Sequence, residues 1–271
     1  FPVTILHISP EDFSFGRSLN LGCEAATGEY IVIASAHVYP VYRNWLEQML
    51  MPFTDAKTAL VYGKQRGNNV TKFSERQIFA QWFGEKSNFR QSHPFCNNAN
   101  AAIRRSVWAR MPYDETLTGL EDLSWALKIS ELGSRIAYNA DAEVCHAHDE
   151  AWGRVYQRYR REAISMKRIF PGEYFNIWDF LRLFGGNVAS DYYHAWHDRL
   201  LRRNILSIFL FRFMQFCGTY RGFCQHGPVS KELRQKFYYP KELARKTKSA
   251  NTQVSDDNSI DYSKVWDRIN L

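Results

Sequence analysis

The sequence predicts an α/β domain over residues 1–150, a basic helical region over 151–246 and a polar tail over 247–271. Three observations carry this reading. Short apolar runs alternate with helix-patterned segments as far as residue 150. Charge is divided sharply: residues 1–150 hold 14 Lys and Arg against 17 Asp and Glu, whereas residues 151–246 hold 18 against 7. Beyond Lys246, Thr247–Asn258 is rich in Ser, Asn, Asp and Thr and reads as disordered.

Taken in order, Val3–Ile8 alternates like a strand, Gly16–Ala26 reads as a helix closed near Gly28, and Tyr30–Ala34 as a fully buried strand. Asn44–Leu50 follows as a helix and Ala59–Gly63 as a strand, a rhythm that argues for a mainly parallel sheet. Asn100–Ile103 is strand-like. Leu120–Leu132 is a helix with acidic residues in its first turn and Gly133 past its end. Arg135–Tyr138 and Ala142–Cys145 complete the α/β part. From Trp152 the pattern turns helical, with Arg154, Arg158 and Arg161 on one face, and Ile205–Cys217 is almost wholly apolar.

Composition bounds the function. With 271 residues and 45% hydrophobic content there is ample material for a core, and a mean hydropathy of −0.43 argues against a bundle of membrane spans. The five cysteines are odd in number, scattered and never spaced CxxC, which favours a reducing, cytoplasmic setting over a disulfide framework or zinc knuckle. Phe1 is not an initiator Met and no signal peptide is visible, so the chain reads as a possible fragment. The basic region attracts phosphate groups but carries no nucleic-acid recognition motif, so nucleic acid is not the expected partner. The run Ile205–Cys217, flanked by Arg199, Arg202, Arg203 and Arg221, is too short to span a bilayer; it reads as an interfacial helix or as an ordinary core helix.

Three places carry chemistry. His37 follows the strand Tyr30–Ala34, and in open α/β sheets ligands bind beyond the carboxyl ends of strands. A histidine bonded to backbone there is the plain alternative. Glu121 and Asp122 stand at a helix start beside Gly119, as general-base candidates or as simple complements to the helix dipole. His146 and His148 fall on one face if the last strand continues, as metal ligands with His37 as third donor or as a solvated pair.

In this order the motifs become recognisable: a helix, Gly28-Glu29-Tyr30, a strand ending Ser35-Ala36-His37, then Asn100–Trp108, Tyr113-Asp114-Glu115, Glu121-Asp122-Leu123 and Val144-Cys145-His146-Ala147-His148. The chain resembles the family 2 glycosyltransferases of GT-A fold, with the nearest likeness to rhamnosyltransferase-like enzymes of bacterial surface polysaccharide synthesis. The likeness covers about residues 7–165 by motif. It implies a Rossmann-like mixed sheet, incomplete at the amino terminus, because the family's opening strand and helix and its base-gripping acidic segment would precede Phe1. That would leave an incomplete nucleotide pocket in this chain alone.

The resemblance also implies roles. Ser35 and His37 occupy the places of the family's Asp-x-Asp, which binds metal and donor diphosphate, so His37 with His146 is expected to hold a divalent cation, Mn²⁺ or Mg²⁺. Asp122 matches the general base of inverting members, with Glu121 beside it. Arg17 matches a donor-site arginine, Asn20 orders the same helix, and Arg154 and Arg158 are expected near the donor phosphates. The implied partners are a nucleotide-sugar donor and a glycan or lipid-linked acceptor, with peripheral contact at the inner face of the cytoplasmic membrane. A non-catalytic scaffold or glycan-binding protein of the same fold is the rival reading, favoured by Ser35 in place of Asp.

Overall fold

The computed structural model describes residues 3–227 and, beyond them, 229, 230, 233, 237, 238 and 260. Its elements run α1 (Phe15–Ala25), β1 (Tyr30–Ala34), β2 (Val38–Pro40), α2 (Trp45–Leu50), a 3-10 turn (Met51–Thr54), β3 (Thr58–Arg66), α3 (Phe73–Trp82) and β4 (Asn100–Arg104). They continue with α4 (Arg105–Arg110), α5 (Glu121–Glu131), β5 (Arg135–His146), α6 (Trp152–Ile169), α7 (Ile177–His197) and α8 (Leu201–Phe223). The mixed α/β sheet and the helical carboxy-terminal region agree with the expected class. The expected tail Thr247–Asn258 lies outside the described residues.

The chain forms two compact units, each assembled from separate stretches. One comprises Phe1–Thr27, Trp108–Trp125 and Glu150–Arg245; the other comprises Gly28–Val107, Ala126–Asp149 and Lys246–Leu271.

The second unit holds the sheet, in the order β1-β4-β3-β5-β2. Among the described residues only β3 and β5 pair in parallel; β4 runs against both β1 and β3, and β2 against β5. This corrects the mainly parallel expectation. Alternating strand and helix patterns fix the type of each element but not the direction in which its connection returns. β1 is an edge strand, so of its five residues only Ile31 is buried rather than the whole run. On one face Val61, Ala102 and Ala137 pack with Met49 and Phe53, with Trp45 and Leu50 against them.

The two short strands expected at 135–138 and 142–145 are one strand, β5, with a shift in register where Gly63 faces Asn139 and Gln65 faces Val144. The polar stretch between them is absorbed as a bulge. Asn139 there donates to the Gln48 carbonyl at 2.7 Å and accepts from the Ser87 hydroxyl at 3.1 Å. Gly63 lets the strands close up, because a Cβ at that position would collide with the Ala142 carbonyl and the Asn100 amide. Asn100, fully buried, uses the freed space to donate to Ala142 O at 2.8 Å and accepts from Trp45 Nε1 at 3.0 Å.

The first unit is helical. Ser14 caps α1, its hydroxyl accepting from the Arg17 amide at 3.2 Å. Val3–Ile8, expected as a strand, has no regular structure, and Val3 and Ile5 are 80% and 72% exposed. Alternation alone supplies no neighbouring strand to pair with. α8 packs closely on α6 through Gly218 and Gly222, where a Cβ would strike the carbonyls of Tyr156 and Arg160. α7 begins with a capping box formed by Asn176 and Asp179 and pairs with α8 through stacked and edge-on Phe180, Phe184, Phe209 and Phe213.

The polar interruptions in the apolar run of α8 point inward. Arg212 donates to both carboxylate oxygens of Asp191 on α7, at 2.7 and 2.8 Å, and to Gln215 at 2.9 Å, with Arg212 and Asp191 only 3% and 2% exposed. This bidentate geometry offsets much of the cost of taking both charges out of water.

Candidate functional site

Candidate residues fall in both units, and each set is described within its own.

In the sheet unit, the β1–β2 turn carries His37 and the end of β5 carries His146 and His148. The Ala147 amide donates to the His37 carbonyl at 3.0 Å, so the turn and the strand end are joined by backbone. Donor nitrogens of His37, His146 and His148 all lie within 4.8 Å of one another, and the His37 and His148 Nε2 atoms are 3.1 Å apart. Exposure falls from His37, which is open, through half-buried His148 to His146, which is buried. Ser35, in the first place of the Ser-x-His motif, brings its hydroxyl 3.2 Å from His37 Nδ1.

Two further residues, neither of them among the sequence candidates, complete this centre. Glu75, in the first turn of α3 and 2% exposed, has its carboxylate 2.8 Å from His148 Nδ1. Gln65 on β3 has its amide oxygen 2.7 Å from His146 Nδ1. An oxygen acceptor at each Nδ1 selects the tautomer that carries the proton there and leaves the Nε2 lone pair available. Phe79, one turn beyond Glu75 on the same face of α3, stacks on His146 at 5.6 Å with an interplanar angle of 15°. The His146 ring is therefore fixed in both tautomer and plane. A set of three imidazoles suits a divalent transition ion better than Mg²⁺, which prefers oxygen ligands.

In the helical unit, the loop Tyr113–Leu120 leads to Glu121 and Asp122. α1 holds one side of it: Asn20 donates to the Tyr113 carbonyl and to Glu115, both at 3.0 Å, and accepts from the Tyr113 amide at 2.9 Å and Trp108 Nε1 at 3.0 Å. Asn20 thus uses all its polar capacity to fix α1 to the loop, as an ordering residue should. α6 holds the other side, with the Thr118 hydroxyl donating to the Arg161 carbonyl and the Thr118 amide to the Ser165 hydroxyl, at 3.0 and 3.1 Å. Leu120 then adopts φ 58°, a left-handed conformation costly for a residue with a Cβ, immediately before the acidic pair.

Asp122 is buried, and one of its carboxylate oxygens accepts from the Leu123 amide at 2.8 Å. Burial and the neighbouring charge of Asp122 push the Glu121 carboxyl up to about 8. Glu162 on α6 is raised as well, chiefly by burial and against the pull of Arg158 and Arg161. Of the two adjacent carboxyl groups, Glu121 is the one whose hold on its proton is raised by burial and by its neighbour. Arg158 forms an ion pair with Glu150 at 2.7 Å and lies over the Tyr159 ring. Arg154, half-buried on the same helix face, and Arg17, exposed on α1, are the other sequence-selected arginines. Arg161 sits over the Phe15 ring at 4.6 Å.

The Glu121 shift has a thermodynamic sign. Its folded value lies above the ordinary 4.5 of a glutamate carboxyl, so the native state binds more protons than the unfolded state between about pH 4.5 and 8. Stability from this group is fully present below that window and is lost as pH rises through it, by at most about 1.4 kcal/mol per pH unit. Urea midpoints measured from pH 5 to 8.5 should fall less steeply for Glu121→Gln than for the native chain. Parallel pH profiles would contradict the assignment.

Comparison with known proteins gives three findings. Residues 2–111 match the family described as Glycosyl transferase family 2. The chain is 28% identical over 168 residues to the O-antigen chain rhamnosyltransferase WbaN of Salmonella anatum, covering 57% of this chain and 53% of the relative. It is 25% identical over 170 residues to the O-antigen chain rhamnosyltransferase RfbN of Salmonella typhimurium, covering 58% and 54%. The chain thus spans about half the length of the curated relatives it matches. Among solved structures it is similar to the mannosyltransferase PcManGT from Pyrobaculum calidifontis in complex with GDP-Man and Mn²⁺, with TM-score 0.48 and 16% identity over 76% of this chain and 66% of that one.

Proposed function

We propose, since residues 2–111 are a family 2 glycosyltransferase domain, that the protein transfers a sugar from a nucleotide-sugar donor to a glycan or lipid-linked glycan acceptor, with inversion, in the synthesis of a bacterial surface polysaccharide. The observation that carries the mechanism is the Glu121–Asp122 pair. Glu121, its carboxyl pushed up by burial and by the neighbouring charge, stands beside a second, buried carboxyl held in place by backbone. Asp122 is the acceptor, oriented by the Leu123 amide. In a single displacement the acceptor oxygen bonds to the anomeric carbon, the bond from that carbon to the donor phosphate breaks, and the hydroxyl proton passes to Asp122.

Charge gathering on the departing diphosphate needs compensation, and Arg17 and Arg154 are the cations assigned to it. Arg158 serves at one remove, by holding Glu150. His37, His146 and His148 would hold a divalent ion, which when bound would supply positive charge to a phosphate ligand of the sheet unit. The names of the matched relatives, O-antigen chain rhamnosyltransferases, support an O-antigen-type glycan as the acceptor class. The test is stereochemical. Proton NMR of the product should show the anomeric configuration opposite to that of the donor; a retained configuration would remove the single-displacement mechanism.

A further inference from the structure

We infer that the α7–α8 hairpin is a surface for binding an anionic membrane interface, seated through the outward faces of both helices. This deepens the preceding reading, in which the acceptor is carried on a lipid. Trp178 and Trp196 on α7 are 75% and 67% exposed, and Leu206 on α8 is 68% exposed. Such large apolar side chains are not left in water without a cost of lost burial, and tryptophan favours the boundary between hydrocarbon and headgroups.

Geometry puts the two tryptophans on one side of α7. Trp178 and Trp196 are eighteen residues apart, five full helical turns, so they project on the same side at a separation of about 27 Å along the axis. Between them Gly185 and Ala189 occupy the same strip and are exposed, so nothing bulky lifts the helix away from a flat partner. The opposite side of α7 is already engaged, with Phe184 against Phe209 and Asp191 against Arg212. No helix among the described residues is long and apolar enough to cross a membrane, so the hairpin lies along the interface.

Charge selects the occupant. On α8 Arg202 and Arg203 are exposed and the helix carries no acidic residue, and Arg199 in the preceding turn is exposed as well, whereas Arg212 is buried against Asp191 and Arg182 on α7 pairs with Asp179 at 3.5 Å. A cationic rim around apolar anchors complements the phosphates of anionic lipids. It opposes the pairing of two copies through this face, because their arginines would confront each other. The rim arginines bear the phosphate attraction while the aromatic and aliphatic side chains enter beneath the headgroups.

The experiment is co-sedimentation of the full chain with vesicles of phosphatidylcholine alone or mixed with phosphatidylglycerol. Binding is expected on the mixed vesicles at low salt, weaker on the neutral ones and in high salt. The Leu206→Glu chain and the Trp178→Ser/Trp196→Ser chain should each bind at least about tenfold more weakly. Both alter exposed side chains, and an unchanged thermal melt checks their fold. The native chain remaining in the supernatant with mixed vesicles, or Leu206→Glu binding as well as the native chain, would overturn the inference. So would a dimer by light scattering that Leu206→Glu converts to monomer, since the occupant would then be a second copy. Vesicle binding needs no turnover: a transferase-inactive chain that still sediments would count against the catalytic reading alone.

Discussion

Replacing Asp122 by Asn is expected to lower the rate of sugar transfer by about 10²–10⁴-fold, the range a positioned base contributes, with donor affinity and melting temperature unchanged. Asparagine preserves the shape of the side chain and can still accept from the Leu123 amide, but it cannot take the acceptor proton. Glu121→Gln is the informative partner. Glu121 already carries its proton at neutral pH, so an amide in its place imitates the native state and should leave the rate within a few-fold. A steady-state assay in which both variants turn over like the native chain would leave the acidic pair without a catalytic role. Loss in Glu121→Gln equal to that in Asp122→Asn would reverse the assignment.

The histidine centre makes the second large prediction. His148→Ala should reduce Mn²⁺ or Co²⁺ affinity by at least about 100-fold in equilibrium dialysis, and the visible absorption of bound Co²⁺ should disappear with it. Glu75→Gln should cost about 10–100-fold, because the carboxylate that fixes the His148 tautomer is gone while all three imidazoles remain. Retention should weaken in acid, where protons compete for the same lone pairs. Unaltered Co²⁺ spectra in both variants would exclude these side chains as ligands.

His37, His146 and His148 were legible because a strand end in an α/β sheet is where side chains become available to a ligand, and the apolar runs before them mark two such ends. Their outer partners were not. Glu75 lies in a polar stretch whose helix, α3, carries no strong apolar stripe, and its buried setting arises only when α3 packs beside β5. The one local hint was the spacing of Glu75 and Phe79, four residues apart. α7 was covered only by the general helical reading of residues 151–246, because Gly185 and Gly186 interrupt its pattern, although the Asn176–Asp179 box signals its start. At Val3–Ile8 the opposite error occurred, since alternation imitates a strand whether or not another strand stands beside it.

The Arg212–Asp191 pair has a consequence for how the outer helices behave as a body. Moving α7 past α8 by even one turn would pull a guanidinium from its carboxylate in a place without water, a penalty of about 3–5 kcal/mol. Lateral slippage is thereby forbidden at ordinary temperature, and the hairpin is indexed like a key cut to one depth. Any force that lifts or lowers one helix carries the other along, so whatever surface the pair meets is met by both at a single, preset alignment.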